Sequence, residues 1–159
     1  MSDRSDADID CKLATMGVQL PAPAAPVAAY VPVVVAGGLA YVSGQLPFID
    51  GRLVTGRLGE DLSVEDGAAA ARACGLMILA QLKAELGSLS RVERVVKLGV
   101  FVSAVPNFID QPKVANGASE LMAAVFGDAG KHARSAVGVP TLPLGAAVEI
   151  DAIVAVSPA

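Results

Sequence analysis

The feature that most constrains the fold is a pair of alternating segments near the C-terminus of the chain. Residues 134–139 and 146–156 alternate between apolar or small residues and others, which predicts two strands. Residues 140–145 lie between them and contain two prolines and a glycine, which predicts a turn. We therefore expect the two strands to pair as a hairpin about this turn.

The predicted hairpin carries one basic and two acidic residues among apolar neighbours. Successive side chains of a strand point to opposite faces, so Glu149 and Asp151 share a face, and Arg134 can lie across from either of them. A guanidinium held by carboxylates is suited to binding an anionic ligand. A structural ion pair that locks the hairpin is the alternative explanation of the same residues.

Two further segments predict strands in the N-terminal half. Residues 31–35 form a β-branched run that ends at Gly37–Gly38, and residues 39–43 supply a partner strand. Asp50–Gly51 is a second turn signal. These patterns predict an antiparallel meander over residues 33–55.

The middle of the chain predicts helices and one buried strand. Ser63 precedes strong helix formers over residues 64–86, and Gly87 is a natural stop. Residues 91–105 predict a buried strand. Residues 112–126 predict a second helix, which Asn116–Gly117 interrupts.

The order of these elements predicts an α+β domain, with two main helices on one face of a mixed sheet. Residues 1–26 are expected to form an N-terminal extension with a short helix before Gly17 and a Pro-rich connector. Residues 27–159 are expected to form a single domain, because this length suits one hydrophobic core.

Composition excludes several classes of function. The chain is 53% hydrophobic but has no run of about 20 apolar residues, so a membrane helix is not expected. The formal net charge of −4 and the lack of a basic cluster argue against a nucleic-acid partner. Its 2 cysteines and single histidine support no metal site and no disulfide framework, and a reducing, cytoplasmic location is expected. The hydrophobic surface that remains favours a homo-oligomer.

Several motifs resemble those of the RidA/YjgF family, the enamine/imine deaminases. These are Ala133-Arg134-Ser135, Leu142-Pro143, the run from Val148 to Ala152, and Tyr41-Val-Ser-Gly-Gln-Leu-Pro47. The resemblance implies a chorismate-mutase-like fold and a homotrimer with ligand sites between subunits. It also implies hydrolysis of small 2-imino or enamine acids to 2-keto acids and ammonia, without a cofactor or metal.

The resemblance assigns roles to individual residues. Arg134 would clamp the substrate carboxylate, and Glu149 would position or activate water. Asp151 would be structural. Ala136 stands where many members have cysteine, which argues against thiol chemistry. Further substrate-binding candidates are Tyr30, Ser43, Ser135, Val102 and Asn116.

Other functions are compatible with parts of this pattern. A non-catalytic homotrimer that binds small carboxylate metabolites would use the same Arg134. A ribonuclease, a label often attached to this family, fits the acidic balance least well. His132 neighbours Arg134, but most single surface histidines have no catalytic role.

Overall fold

The computed structural model describes residues 5–25 and 29–159 of the chain. Within these residues the elements are α1 (Asp6–Thr15), β1 (Val33–Ala36), β2 (Leu39–Gln45), β3 (Phe48–Ile49), β4 (Arg52–Leu53), α2 (Val64–Leu86), β5 (Val92–Ser103), α3 (Gln111–Phe126), β6 (Ala133–Val139) and β7 (Val148–Val156). Pro26, at the end of the predicted extension, lies outside the described residues.

Five strands form one mixed sheet in the order β1-β2-β7-β5-β6. Only the β5–β6 pair is parallel among these described strands. Helices α2 and α3 pack against each other and cover one face of the sheet. The predicted α+β class is confirmed, and α1 joins the same core through Ile9 and Leu13.

Helix α2 begins and ends where the sequence predicts. The Ser63 hydroxyl oxygen accepts a hydrogen bond from the Asp66 amide, and the Asp66 carboxylate accepts one from the Ser63 amide at 3.0 Å. Gly87 ends the helix in the left-handed conformation, with φ of 79°. These bonds satisfy backbone groups that a helix end otherwise leaves without partners.

Helix α3 is continuous through Asn116–Gly117, so the predicted interruption is wrong. Gly117 lies where α3 crosses α2 closely. A Cβ atom at this position would collide with the backbone oxygen of Ala68. The glycine is therefore required by packing between helices and does not mark a break.

The predicted N-terminal meander is only partly correct. Strands β1 and β2 pair about the turn at Gly37–Gly38, as expected. Strand β2 then pairs with β7, while β3 and β4 form a separate two-stranded ribbon. Asp50 and Gly51 at the tip of this ribbon have φ of 50° and 73°, which is the backbone of a type I′ turn.

The predicted hairpin between the two C-terminal strands is wrong. Strand β5 lies between β6 and β7, so the two strands make no ladder with each other. In the observed register Arg134 is opposite Leu98, whereas Glu149 is opposite Phe101. A hairpin and an inserted strand give the same local alternation, so the pattern alone could not distinguish them.

The sheet face opposite the helices is not covered by any described residue; we call it the open face. Its apolar side chains include Tyr41 and Val137, which are 43% and 45% exposed. Phe101 lies beside Val137 in the parallel register, and Ile153 lies beside Tyr41. The open face therefore presents a largely apolar surface that a lone chain leaves in water.

Candidate functional site

Arg134 lies on the helix side of β6, the edge strand next to β5. Its Nη1 atom donates to the Asn116 side-chain oxygen at 2.9 Å and to the Ser119 hydroxyl at 3.0 Å. Both partners lie on one face of α3, since they are three residues apart. The structure thus brings the predicted residues Arg134 and Asn116 together.

Ser119 also contacts His132. Their side chains meet at 2.9 Å through His132 Nε2, and His132 Nδ1 lies 2.6 Å from the Gly130 carbonyl oxygen. A carbonyl can only accept, so Nδ1 carries a proton and donates it. In the neutral ring Nε2 then accepts from Ser119, whose oxygen accepts from Arg134. We call Arg134, Asn116, Ser119 and His132 the Arg134 cluster.

Arg134 does not contact its expected carboxylate partner within the part of the chain that the structure describes. Within the described residues its hydrogen bonds go to a neutral amide and a neutral hydroxyl, and none of the ion pairs includes it. Glu149 is three β5 positions away, roughly 10 Å along the strand, and points to the open face. The positive charge of Arg134 is therefore oriented but not neutralised.

Glu149 and Asp151 lie on the open face above two glycines. A Cβ atom on Gly44 would collide with Glu149 Oε1, and one on Gly99 would collide with Asp151 Oδ1. Glycines at these positions provide the space that the carboxylates occupy. This explains the glycine of the Ser-Gly-Gln motif.

The environment of Glu149 changes its acidity. Burial raises the pKa of the half-buried Glu149 carboxyl group, and the neighbouring charge of Asp151 raises it further. A carboxyl group with a raised pKa keeps its proton to a higher pH than a free carboxyl group does. Such a group is better suited to both accept and donate a proton.

Ser43 and Tyr30 lie at the same end of the sheet as Glu149. The Ser43 hydroxyl donates to the Val31 carbonyl oxygen at 2.9 Å, which anchors the segment that carries Tyr30. Tyr30 is 53% exposed. It lines a cavity of about 180 Å³ together with Gly44 and Leu144. We call Tyr30, Ser43, Gly44 and Glu149 the Glu149 cluster.

Ser135 and Val102 belong to neither cluster by side-chain contact. Ser135 is exposed and lies opposite Gly99 on the open face. The Val102 side chain is fully buried, and its backbone lies opposite Gly138 of β6. Ser135 lies on the edge strand β6, whereas Val102 lies on the interior strand β5 and could contact a ligand only through its backbone.

Comparison with known proteins places this arrangement in a family. The sequence profile described as "YjgF/chorismate mutase-like, putative endoribonuclease" matches residues 10–154. Protein TCP17 of Trypanosoma cruzi is 53% identical over 156 residues, covering 97% of this chain and 98% of the relative.

Solved structures give the same result. The crystal structure of a protein with unknown function from Agrobacterium tumefaciens has a TM-score of 0.90 and 48% identity, covering 96% of this chain and 94% of the other. The crystal structure of RidA from the Antarctic bacterium Psychrobacter sp. has a TM-score of 0.58 and 31% identity, covering 85% of this chain and 94% of the other. The chain belongs to the YjgF/chorismate mutase-like family. The resemblance predicted from the motifs is confirmed.

Within this family member, the described residues hold no group of three or more His, Cys, Asp or Glu side chains that could bind a metal. Nor is any described helix long and apolar enough to cross a membrane. Cys74 is buried, and burial raises the pKa of its thiol well above the usual value. Its sulfur lies 3.7 Å from the Val148 carbonyl oxygen, which is a packing position.

The contacts of Ser119, Gly44 and Gly99 were not predicted from the sequence. Ser119 has no sequence signal beyond its spacing of three from Asn116 on a predicted helix. Gly44 and Gly99 could have been recognised, because an isolated glycine in a strand often marks a close approach. The partner that fills each space was not predictable without the register of the sheet. Gln81 is buried and donates to the Ala24 carbonyl oxygen at 3.0 Å.

Proposed function

We propose that this protein hydrolyses small 2-imino or enamine acids to 2-keto acids and ammonia. The observation that carries the proposal is the Arg134 guanidinium, which α3 holds in place without neutralising its charge. The carboxylate of an imino acid supplies the missing negative charge. Membership of the RidA/YjgF family supports the same assignment.

Hydrolysis requires little beyond orientation and a water molecule. Arg134 binds the substrate carboxylate, which fixes the position of the adjacent C=N carbon. Glu149 accepts a proton as the water oxygen attacks this carbon, and returns a proton to the nitrogen. This gives a carbinolamine, whose hydroxyl proton is then transferred through Glu149 to the amino nitrogen. As the C=O bond forms, the C–N bond breaks and ammonia leaves.

A homotrimer provides the geometry for this chemistry. In one chain the Arg134 cluster and the Glu149 cluster lie on opposite sides of the sheet, too far apart to hold one small substrate. We infer that the Arg134 cluster of one subunit faces the Glu149 cluster of its neighbour. The apolar open face and the edge strand β6 support association of this kind. Tyr30, Ser43, Ser135 and the Val102 backbone would complete each intersubunit site.

The proposal is tested by measuring ammonia and keto-acid release from freshly generated 2-aminoacrylate. We expect wild-type protein to accelerate release over buffer and Arg134→Ala to lower kcat/KM by roughly tenfold to a hundredfold, because a charge-assisted pair is lost. Arg134→Lys keeps the charge but not the planar fork and should retain only part of the activity. Arg52→Ala, at an exposed arginine of the β3–β4 ribbon, is the matched control.

The alternative is a trimer that binds carboxylates without turnover. Saturable binding of 2-ketobutyrate or benzoate, with no acceleration for several imines, would favour it over an enzyme. Loss of that binding in Arg134→Ala would still locate the ligand at Arg134.

A further inference from the structure

A second cavity lies on the other side of α2 from the core. It has a volume of about 680 Å³ and is bounded by the connector after α1, the β3–β4 ribbon and α2. We call it the connector groove. Pro21 and Ala22 form one wall, Phe48 and Ile49 form the other, and Ala69 and Leu76 contribute to the floor. Cavities of roughly 300–1,000 Å³ are of the size that holds small organic ligands.

The walls of the connector groove are mainly apolar and reach solvent. Phe48 and Ile49 are 37% and 40% exposed, so the ribbon leaves apolar surface directed at the groove. Ala69 and Leu76 are seven residues apart and therefore share one face of α2. The small side chains of Ala69 and Ala73 on this helix leave room for the groove. Burying this surface against an apolar ligand would be favourable at about 25 cal/mol per Å².

Arg72 contributes a cation to the groove that has no partner among the described residues. Arg72 lies on α2 between Ala69 and Leu76 and is partly buried. Within residues 5–25 and 29–159 its guanidinium makes neither a hydrogen bond nor an ion pair. Arg57, by contrast, contacts Glu60 at 3.5 Å, and Lys83 contacts Asp10 at 3.2 Å. An unpaired, partly buried guanidinium is suited to bind a carboxylate.

We propose that the connector groove binds an elongated organic carboxylate. Its apolar body packs between the connector and the β3–β4 ribbon, and its head group accepts hydrogen bonds from Arg72. This site is separate from the Arg134 cluster, which lies on α3 and β6, and it does not depend on the deaminase proposal. Asp50 lines the rim at the exposed tip of the ribbon and opposes an anion there.

Titration calorimetry with decanoate, below its micellar concentration, tests this proposal, with 1-decanol as the uncharged match. We expect one decanoate per chain and at least tenfold weaker binding of decanol. Arg72→Gln should weaken decanoate binding roughly tenfold, the effect of losing one charge-assisted hydrogen bond of about 1.4 kcal/mol. Asp50→Asn should tighten binding, because it removes a repulsive charge. Equal binding of decanoate by wild type and Arg72→Gln would overturn the proposal.

Three more variants distinguish binding in the connector groove from binding at the Arg134 cluster or elsewhere on the surface. Arg52→Gln removes a nearby charge that does not line the groove and should leave decanoate binding unchanged. Ala69→Leu fills part of the floor without changing any charge and should weaken binding. Arg134→Ala should bind decanoate as wild type does. If Arg134→Ala loses decanoate binding, decanoate binds at the Arg134 cluster and the assignment to the connector groove is wrong. The deaminase proposal would stand in that case.

Discussion

Two carboxylates on the open face depend on glycines in the neighbouring strands. Gly44 and Gly99 leave room for Glu149 and Asp151, which lie two residues apart on β7. Any larger residue at either glycine would displace a carboxylate. The positions of both carboxylates on the open face therefore depend on the two glycines as well as on Glu149 and Asp151.

Glu149→Gln is expected to stabilise the fold at neutral pH. The pKa of Glu149 is raised by burial and by Asp151, so ionisation is less favourable in the folded chain than in the unfolded chain. Its contribution to stability is fully present below the unfolded pKa and is lost as pH rises through the folded pKa. Urea unfolding at pH 7 should therefore give a larger free energy of unfolding for Glu149→Gln than for wild type.

Below about pH 4, Glu149 of wild type is protonated in both the folded and the unfolded chain. The difference in stability between wild type and Glu149→Gln should then disappear. Glu120→Gln, on the exposed side of α3, controls for the loss of one negative charge. A Glu149→Gln variant that is less stable than wild type at pH 7 would contradict the direction of the pKa shift. The variant should also lose imine turnover if Glu149 handles the water.

Helices α2 and α3 approach each other closely because both carry glycines on the shared face. Substituting alanine for glycine inside a helix usually stabilises it by about 1 kcal/mol. Gly117→Ala should do the opposite, because its Cβ atom would meet the Ala68 backbone oxygen, which cannot move alone. We expect a loss of about 1–3 kcal/mol in the free energy of unfolding, measured in urea.

Gly75→Ala is the matched comparison within the same helix pair. A Cβ atom there would lie 2.9 Å from Leu121 Cδ2, the end of a flexible side chain that can rotate away. Gly75→Ala should therefore lower the free energy of unfolding clearly less than Gly117→Ala does. Equal losses would mean that the backbone of α2 accommodates the added methyl group.

The helices and strands differ in how far the sequence predicts them. Capping residues and hydrophobic runs are local signals, so α2 and its ends at Ser63 and Gly87 were predicted correctly. Strand pairing is not local. The sequence gives no sign that β5 inserts between β6 and β7, and this insertion separates Arg134 from Glu149. Their roles could be proposed from motifs, but their separation in one chain could not.

The proposed intersubunit site requires the chain to assemble into a homotrimer. A homotrimer should have a native mass three times that of the 16.0 kDa chain, measured by light scattering. Val137→Asp places a charge on the apolar open face, on its edge strand β6. It should yield monomers with lost imine turnover, since each proposed site needs two subunits. Ile109→Asp is the control, because Ile109 is 82% exposed in the loop before α3. A monomeric wild type would contradict the intersubunit site.

The position of β7 has a consequence for how the chain folds. This last strand lies at the centre of the sheet, where Leu39 pairs with Ala155 on one side and Val100 pairs with Ile150 on the other. Until β7 is in place, the hairpin β1–β2 and the β5–α3–β6 unit share no strand pairing. The sheet can therefore close only after the C-terminal segment has been synthesised. A chain that stops before Val148 could form only the separate pairs β1–β2, β3–β4 and β5–β6, and no continuous five-stranded sheet.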